Sequence, residues 1–89
     1  MYLPDWIQKC ISSLENAGFA AYAVGGCVRD SLLGLSPQDY DLCTNALPEQ
    51  TKAVFRDYRL VLAGEKHGTV TVVTPEGKVE ITTFRTEGG

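Results

Sequence analysis

The sequence has no basic excess. Eight Lys and Arg stand against eleven Asp and Glu, a formal net charge of −3 with its one His neutral. A domain that grips nucleic acid by itself usually carries a basic footprint, so an RNA partner would be held mainly by other parts of a protein. Cysteine is scarce. Cys10, Cys27 and Cys43 are odd in number, widely spaced and form no CxxC. That argues against a disulfide framework and fits a reducing, cytoplasmic compartment. It argues equally against structural zinc, whose ligands come in close pairs, since His67 is the one histidine. No apolar run is long enough to span a bilayer, and MYLPDWIQKC lacks the basic and apolar regions of a signal peptide. No membrane partner is expected. Repeats, low-complexity tracts and linkers are missing too.

What remains is an ordinary globular composition, 44% hydrophobic over 89 residues, enough for one domain with a modest core. Trp6, Ile7, Cys10, Ile11 and Leu14 recur at helical spacing, which predicts a helix over Pro4–Ala17 with Gly18 just past its end. Ala20–Val24 reads as a buried strand and Gly25-Gly26 as the turn out of it. Cys27–Leu33 reads as a short helix stopped by Gly34. Ser36-Pro37 is a loop, and Gln38–Cys43 a strand. A further helix is expected over Pro48–Phe55 and a strand over Arg59–Ala63. Gly64–Gly68 reads as a loop. The β-branched runs Thr69–Thr74 and Lys78–Phe84, joined by Pro75-Glu76-Gly77, form a hairpin. The order predicts an α+β fold, a mixed β-sheet flanked by helices.

The chemistry is concentrated in AVGGCVRDSLLGLSPQDYDL. On a strand, residues two apart share a face. Asp39 and Asp41 therefore project together, with Tyr40 and Leu42 anchoring the other face. Two such carboxylates repel unless a cation lies between them, and Mg²⁺, a hard ion that takes one or two carboxylates plus substrate phosphates, is the natural choice. DxD by itself is often two acids on a wet edge strand, and Gly-Gly before a helix is often only a turn. Here the two stand close together. Gly25 and Gly26 allow close backbone approach to a ligand, the following helix offers unpaired N–H groups, and Arg29 adds a charge-assisted contact to phosphate. The combination points to metal-assisted phosphoryl or nucleotidyl transfer. Glu80, on the face of its strand opposite Val79 and Ile81, is the candidate third carboxylate. Its bland alternative is an exposed strand Glu. His67 reads as a surface or hydrogen-bonding loop residue, and Cys27 and Cys43 as packing residues.

VGGCVRDSLLGLSPQDYDLCTNALPE, followed by KHGTVTVV and VEITTFRTEG, resembles the tRNA nucleotidyltransferase and bacterial poly(A) polymerase family, in particular its class II CCA-adding members. The resemblance covers nearly the whole chain from Ala20 onward. It implies a nucleotidyltransferase head similar to the polymerase β palm and template-independent addition of CMP and AMP, from CTP and ATP, to the 3′ end of tRNA. Gly26 and Arg29 match the family's phosphate-contacting positions and Asp39 and Asp41 its metal pair. Arg85 and Glu87 match a supporting polar stretch. The family's later loop, Arg-Arg-Asp motif, base-reading helix and RNA-holding domains have no counterpart here. The expectation is therefore a single truncated head domain over residues 1–89, inactive or nearly so alone, which meets tRNA through missing C-terminal parts. The head motifs do not separate CCA addition from poly(A), A-only or CC-only addition. A non-catalytic nucleotide-binding module is the alternative of another class.

Overall fold

The computed structural model describes residues 3–24 and 39–84, and of Asp39 the backbone alone. The Gly25-Gly26 turn, the helix expected over Cys27–Leu33 with its Gly34 stop, the Ser36-Pro37 loop, and Arg85 and Glu87 lie outside these residues.

The apolar stripe at the start of the chain folds as helix α1, Asp5–Asn16, which buries Ile7, Cys10 and Leu14. Pro4 sits one position earlier than the sequence suggests. It is the extended residue before the helix, and its carbonyl accepts the N–H groups of Ile7 and Gln8, both at 3.0 Å. Past the other end, Gly18 has φ 96°. The Gly18 N–H reaches the Glu15 carbonyl and the Phe19 N–H reaches the Leu14 carbonyl, both at 3.0 Å. That is the paired bonding of a Schellman stop, which needs a left-handed residue and so favours glycine.

The strands are β1 (Ala21–Ala23), β2 (Asp39–Thr44), β3 (Arg59–Val61), β4 (Thr69–Thr74) and β5 (Gly77–Thr83), with helix α2 at Pro48–Val54. Each matches a predicted element to within one or two residues at either end, but β1, expected to be buried, is an edge strand that buries Ala21 and exposes Tyr22. The loop before β4 contains one 3₁₀ turn, Glu65–His67. In α2, Pro48 takes the first position and the Gln50 side chain reaches back to accept the Leu47 N–H at 2.8 Å. This covers one of the donors a helix start leaves unpaired. The β4–β5 turn is tied by Thr74, whose hydroxyl accepts the Glu76 and Gly77 N–H groups, both at 3.1 Å.

The five strands form one mixed sheet in the order β1-β2-β5-β4-β3. Its central pair, β2 and β5, is parallel, and the other pairs are antiparallel. Strand alternation gives the sheet two chemical faces. One carries Ala21, Tyr40, Leu42, Val72, Val79 and Ile81, which join Ile7, Cys10 and Leu14 of α1 and Phe55 beyond α2 in a single core. Trp6 meets Tyr40 edge to face, with centroids 5.5 Å apart, an arrangement favoured by the ring quadrupoles. Both described helices therefore lie on this side.

Candidate active site

The opposite face carries the polar residues of the strands. Register places them in rows. Asp41 of β2 stands beside Glu80 of β5, Glu80 beside Thr71 of β4, and Thr71 beside Val61 of β3. One step toward the ends of β2 and β5, Tyr22, Cys43, Thr82 and Thr69 make the next row, and the Thr69 and Thr82 hydroxyls are bonded at 2.9 Å. One step the other way, Asp39 pairs with Lys78.

Two acids thus occupy neighbouring positions on adjacent central strands, which lie roughly 4.8 Å apart. Asp41 is partly buried and Glu80 exposed. Like charges in register on adjacent strands destabilise a sheet. A core of Tyr40 and Leu42, Val79 and Ile81 holds both strands in that register from behind. The arrangement suits a hard divalent cation, which prefers oxygen ligands and completes its shell with substrate phosphates and water. The two described carboxylates, with Asp39 two residues before Asp41, fit such an ion by donor chemistry. Among the described residues no group of three or more His, Cys, Asp or Glu is gathered closely enough to hold a metal by itself, and the Asp39 side chain lies outside them.

Of the predicted site residues, the structure brings Asp41 and Glu80 together and sets Asp39 in the same strand. Gly25, Gly26 and Arg29 lie outside the described residues. The last residue before them, Val24, donates its N–H to the Asp41 carbonyl at 2.9 Å, so the chain enters that stretch alongside the acidic row. Sequence spacing pairs Asp41 with Asp39 and offers Glu80 as a third carboxylate on a neighbouring strand. The signal for the closer pairing is the alternation in VEITT, which fixes Glu80's face. The register that sets it beside Asp41 is a property of the sheet.

The cysteines fall on different sides. Cys43 is partly exposed on the polar face, whereas Cys10 is buried in the core, and both are free thiols. Burial, and secondarily the negative charge of Glu76, pushes the Cys10 thiol up to about 11. It is a packing residue, not a nucleophile.

A mixed five-stranded sheet with helices on one face and carboxylates in register on the other defines a nucleotidyltransferase head. The family model for the poly A polymerase head domain matches residues 21–89, and the chain belongs to that family. The CCA-adding enzyme of Streptococcus pyogenes is 48% identical over 98% of this chain and 22% of its own length, and that of Streptococcus thermophilus is 48% identical over 97% and 22%. Among solved structures, the Bacillus stearothermophilus CCA-adding enzyme in complex with CTP is 44% identical, with a TM-score of 0.76 over 99% of this chain and 22% of that one. A tRNA nucleotidyltransferase complexed with a primer tRNA and an incoming ATP analog is 29% identical, with a TM-score of 0.65 over 90% and 24%. The chain spans about a fifth of the length of the curated relatives it matches. Among the described residues, no helix is long and apolar enough to cross a membrane.

Proposed function

We propose that this chain is the catalytic head of a CCA-adding tRNA nucleotidyltransferase, which transfers CMP and AMP from CTP and ATP to the 3′ end of tRNA in the cytoplasm. The observation that carries the reading is the in-register pair Asp41 and Glu80 on the helix-free face of a head-family sheet. The relatives' names supply the substrate: a CCA-adding enzyme is the matched protein in both streptococci, and the Bacillus stearothermophilus relative binds CTP. On this reading residues 1–89 form one head domain of a longer enzyme, and base choice and most of the RNA grip belong to the rest.

The transfer forms a bond from the RNA 3′ oxygen to the α-phosphorus and breaks the bond to the β-phosphate, releasing pyrophosphate. Asp39 and Asp41, with Glu80 as third carboxylate, would hold Mg²⁺. When bound, the ion supplies positive charge for the oxygens of the reacting phosphate and the departing pyrophosphate. The residues of the chain do the positioning. β2 and β5 fix the carboxylates by their parallel register, and Gly25, Gly26 and Arg29 cradle the triphosphate where the chain leaves β1.

The test is nucleotide addition to tRNA by an enzyme carrying this head intact. Asp41→Asn is expected to slow addition by at least about 100-fold, the loss typical when one group acting on transition-state charge is removed, while the fold is retained. Near-normal turnover in that variant contradicts the assignment. A head that binds CTP yet supports no addition in any full-length context would instead mark a non-catalytic binding module.

A further inference from the structure

β2 and β5 end at the same pole of the sheet, and there the structure forms a cleft of about 660 Å³ between the start of α2 and the 3₁₀ turn. The side chains that line it include Asn45, Lys66 and His67, and among the described residues no carboxylate. In a chain whose acids outnumber its bases, a cleft that gathers a lysine, a histidine and an amide beside Leu47, Pro48 and Phe84 stands out. Lys66 and His67 are exposed, and among the described residues neither has an ion-pair partner. The neighbouring Glu65 is already taken, paired with Lys52 of α2. The Asn45 side-chain oxygen accepts the Ala20 N–H at 2.8 Å, which leaves the NH₂ of that amide as its free donor end.

The frame of the cleft is stitched on every side. Thr83 donates its hydroxyl to the Ala46 carbonyl at 2.6 Å and its N–H to the Gly68 carbonyl at 2.8 Å. The Phe84 N–H bonds the Thr44 carbonyl at 2.9 Å. Gly68 turns the chain with φ 85°, and the Lys52–Glu65 pair holds the 3₁₀ turn against α2. The Lys66 and His67 side chains thus project from an anchored turn. Thr44 and Thr83 each lie three residues past Asp41 and Glu80, so at about 3.3 Å per residue the cleft begins roughly 10 Å from the acidic pair.

We propose that this cleft holds a backbone phosphate of the RNA strand whose 3′ end lies on the acidic face. The head would then carry an RNA contact of its own. The inference rests on the nucleotidyl-transfer reading above. A free triphosphate fits the cleft less well: the proposed phosphate-binding glycines follow Val24 in the sequence, and Val24, at the end of the antiparallel strand β1, is bonded to Asp41 rather than to this pole.

The experiment follows backbone and side-chain amide shifts of the chain on titration with two probes, a short single-stranded RNA ending in CC and CTP with Mg²⁺. The RNA is expected to move Lys66, His67, Gly68 and the Asn45 side-chain amide. CTP is expected to move residues 39–41 and 78–80. The double variant Lys66→Gln with His67→Gln should weaken RNA binding about tenfold and lower the slope of log K against log salt by about 0.7, the share of one cation on a single strand. It should leave the CTP response in place. If CTP alone moves the cleft amides and the variant weakens both probes alike, the site belongs to the triphosphate and the proposal is overturned. If the RNA leaves the cleft unmoved while CTP still moves the acidic face, the proposal fails and the catalytic reading stands. A cleft silent to the RNA overturns the proposal even where CTP also leaves the acidic face unmoved, and the catalytic reading is then decided by the addition assay with Asp41→Asn.

Discussion

Asp41 and Glu80 are distant in the chain and adjacent in the sheet. Side by side in register, their like charges repel. Neutralising one should therefore relieve the sheet even as it removes activity: Asp41→Asn is expected to raise stability in metal-free buffer by up to about 1 kcal/mol, read by urea unfolding. A loss of stability of that size would mean the carboxylate is there to hold the fold. Thr51 makes the complementary case in the core. It is 1% exposed, and its hydroxyl has no hydrogen-bond partner among the described residues. Thr51→Val keeps the shape and removes the unpaired group, and is expected to stabilise the chain by about 1 kcal/mol. Cys10 gives a pH dependence. Its folded thiol titrates near 11 against 9.0 for the ordinary group. Between those values the unfolded chain has released a proton that the folded chain keeps. This contribution is intact below pH 9 and lost as pH rises toward 11. Cys10→Ala should flatten that part of the stability profile, measured against the parent chain.

At the scale of elements, Gly18 and the 3₁₀ turn are the sensitive joints. Gly18→Ala puts a Cβ into open space but into a left-handed backbone, so the expected cost is about 1–2 kcal/mol from conformation alone. Gly18→Asn should recover part of it, as a shift in thermal midpoint will show. The Lys52–Glu65 pair is about one-third exposed on both sides, so breaking it should cost under about 1 kcal/mol and less still in high salt. Much at this scale is legible in the chain itself. The stripe from Trp6 to Leu14, the Pro48 start of α2 and the Pro75-Glu76 hairpin rest on local propensities that tertiary packing does not override. Local pattern also fixes the face of Asp41 and of Glu80. It does not fix strand order. The parallel pairing of β2 with β5 joins segments separated by α2, β3 and β4, and only the sheet decides that Glu80 stands beside Asp41 while Lys78 stands beside Asp39. His67 shows the same limit. In sequence it is a loop histidine beside Lys66, and only the convergence of the β2 and β5 ends sets the two against Asn45 at one cleft.

For the whole molecule, the sheet divides the labour. One face is covered by α1 and α2 and supplies nearly all the buried apolar residues. The other is left to charge and hydroxyl groups, and an acidic row there suits a cation and the phosphates it carries. On the proposed reading, the net charge of −3 fits a head that would handle metal and nucleotide while the greater part of a longer enzyme holds RNA, with the cleft at the β2 and β5 ends as the head's own proposed contact. The most direct test of this division uses Mn²⁺ as a paramagnetic stand-in for Mg²⁺, followed by the loss of amide signals in the presence of CTP. Broadening centred on residues 39–41 and 78–80, and removed by Asp41→Asn, is the predicted result. Broadening spread over the surface acids, or centred on Glu65 or Glu76, would contradict the assignment of the acidic row as the catalytic centre.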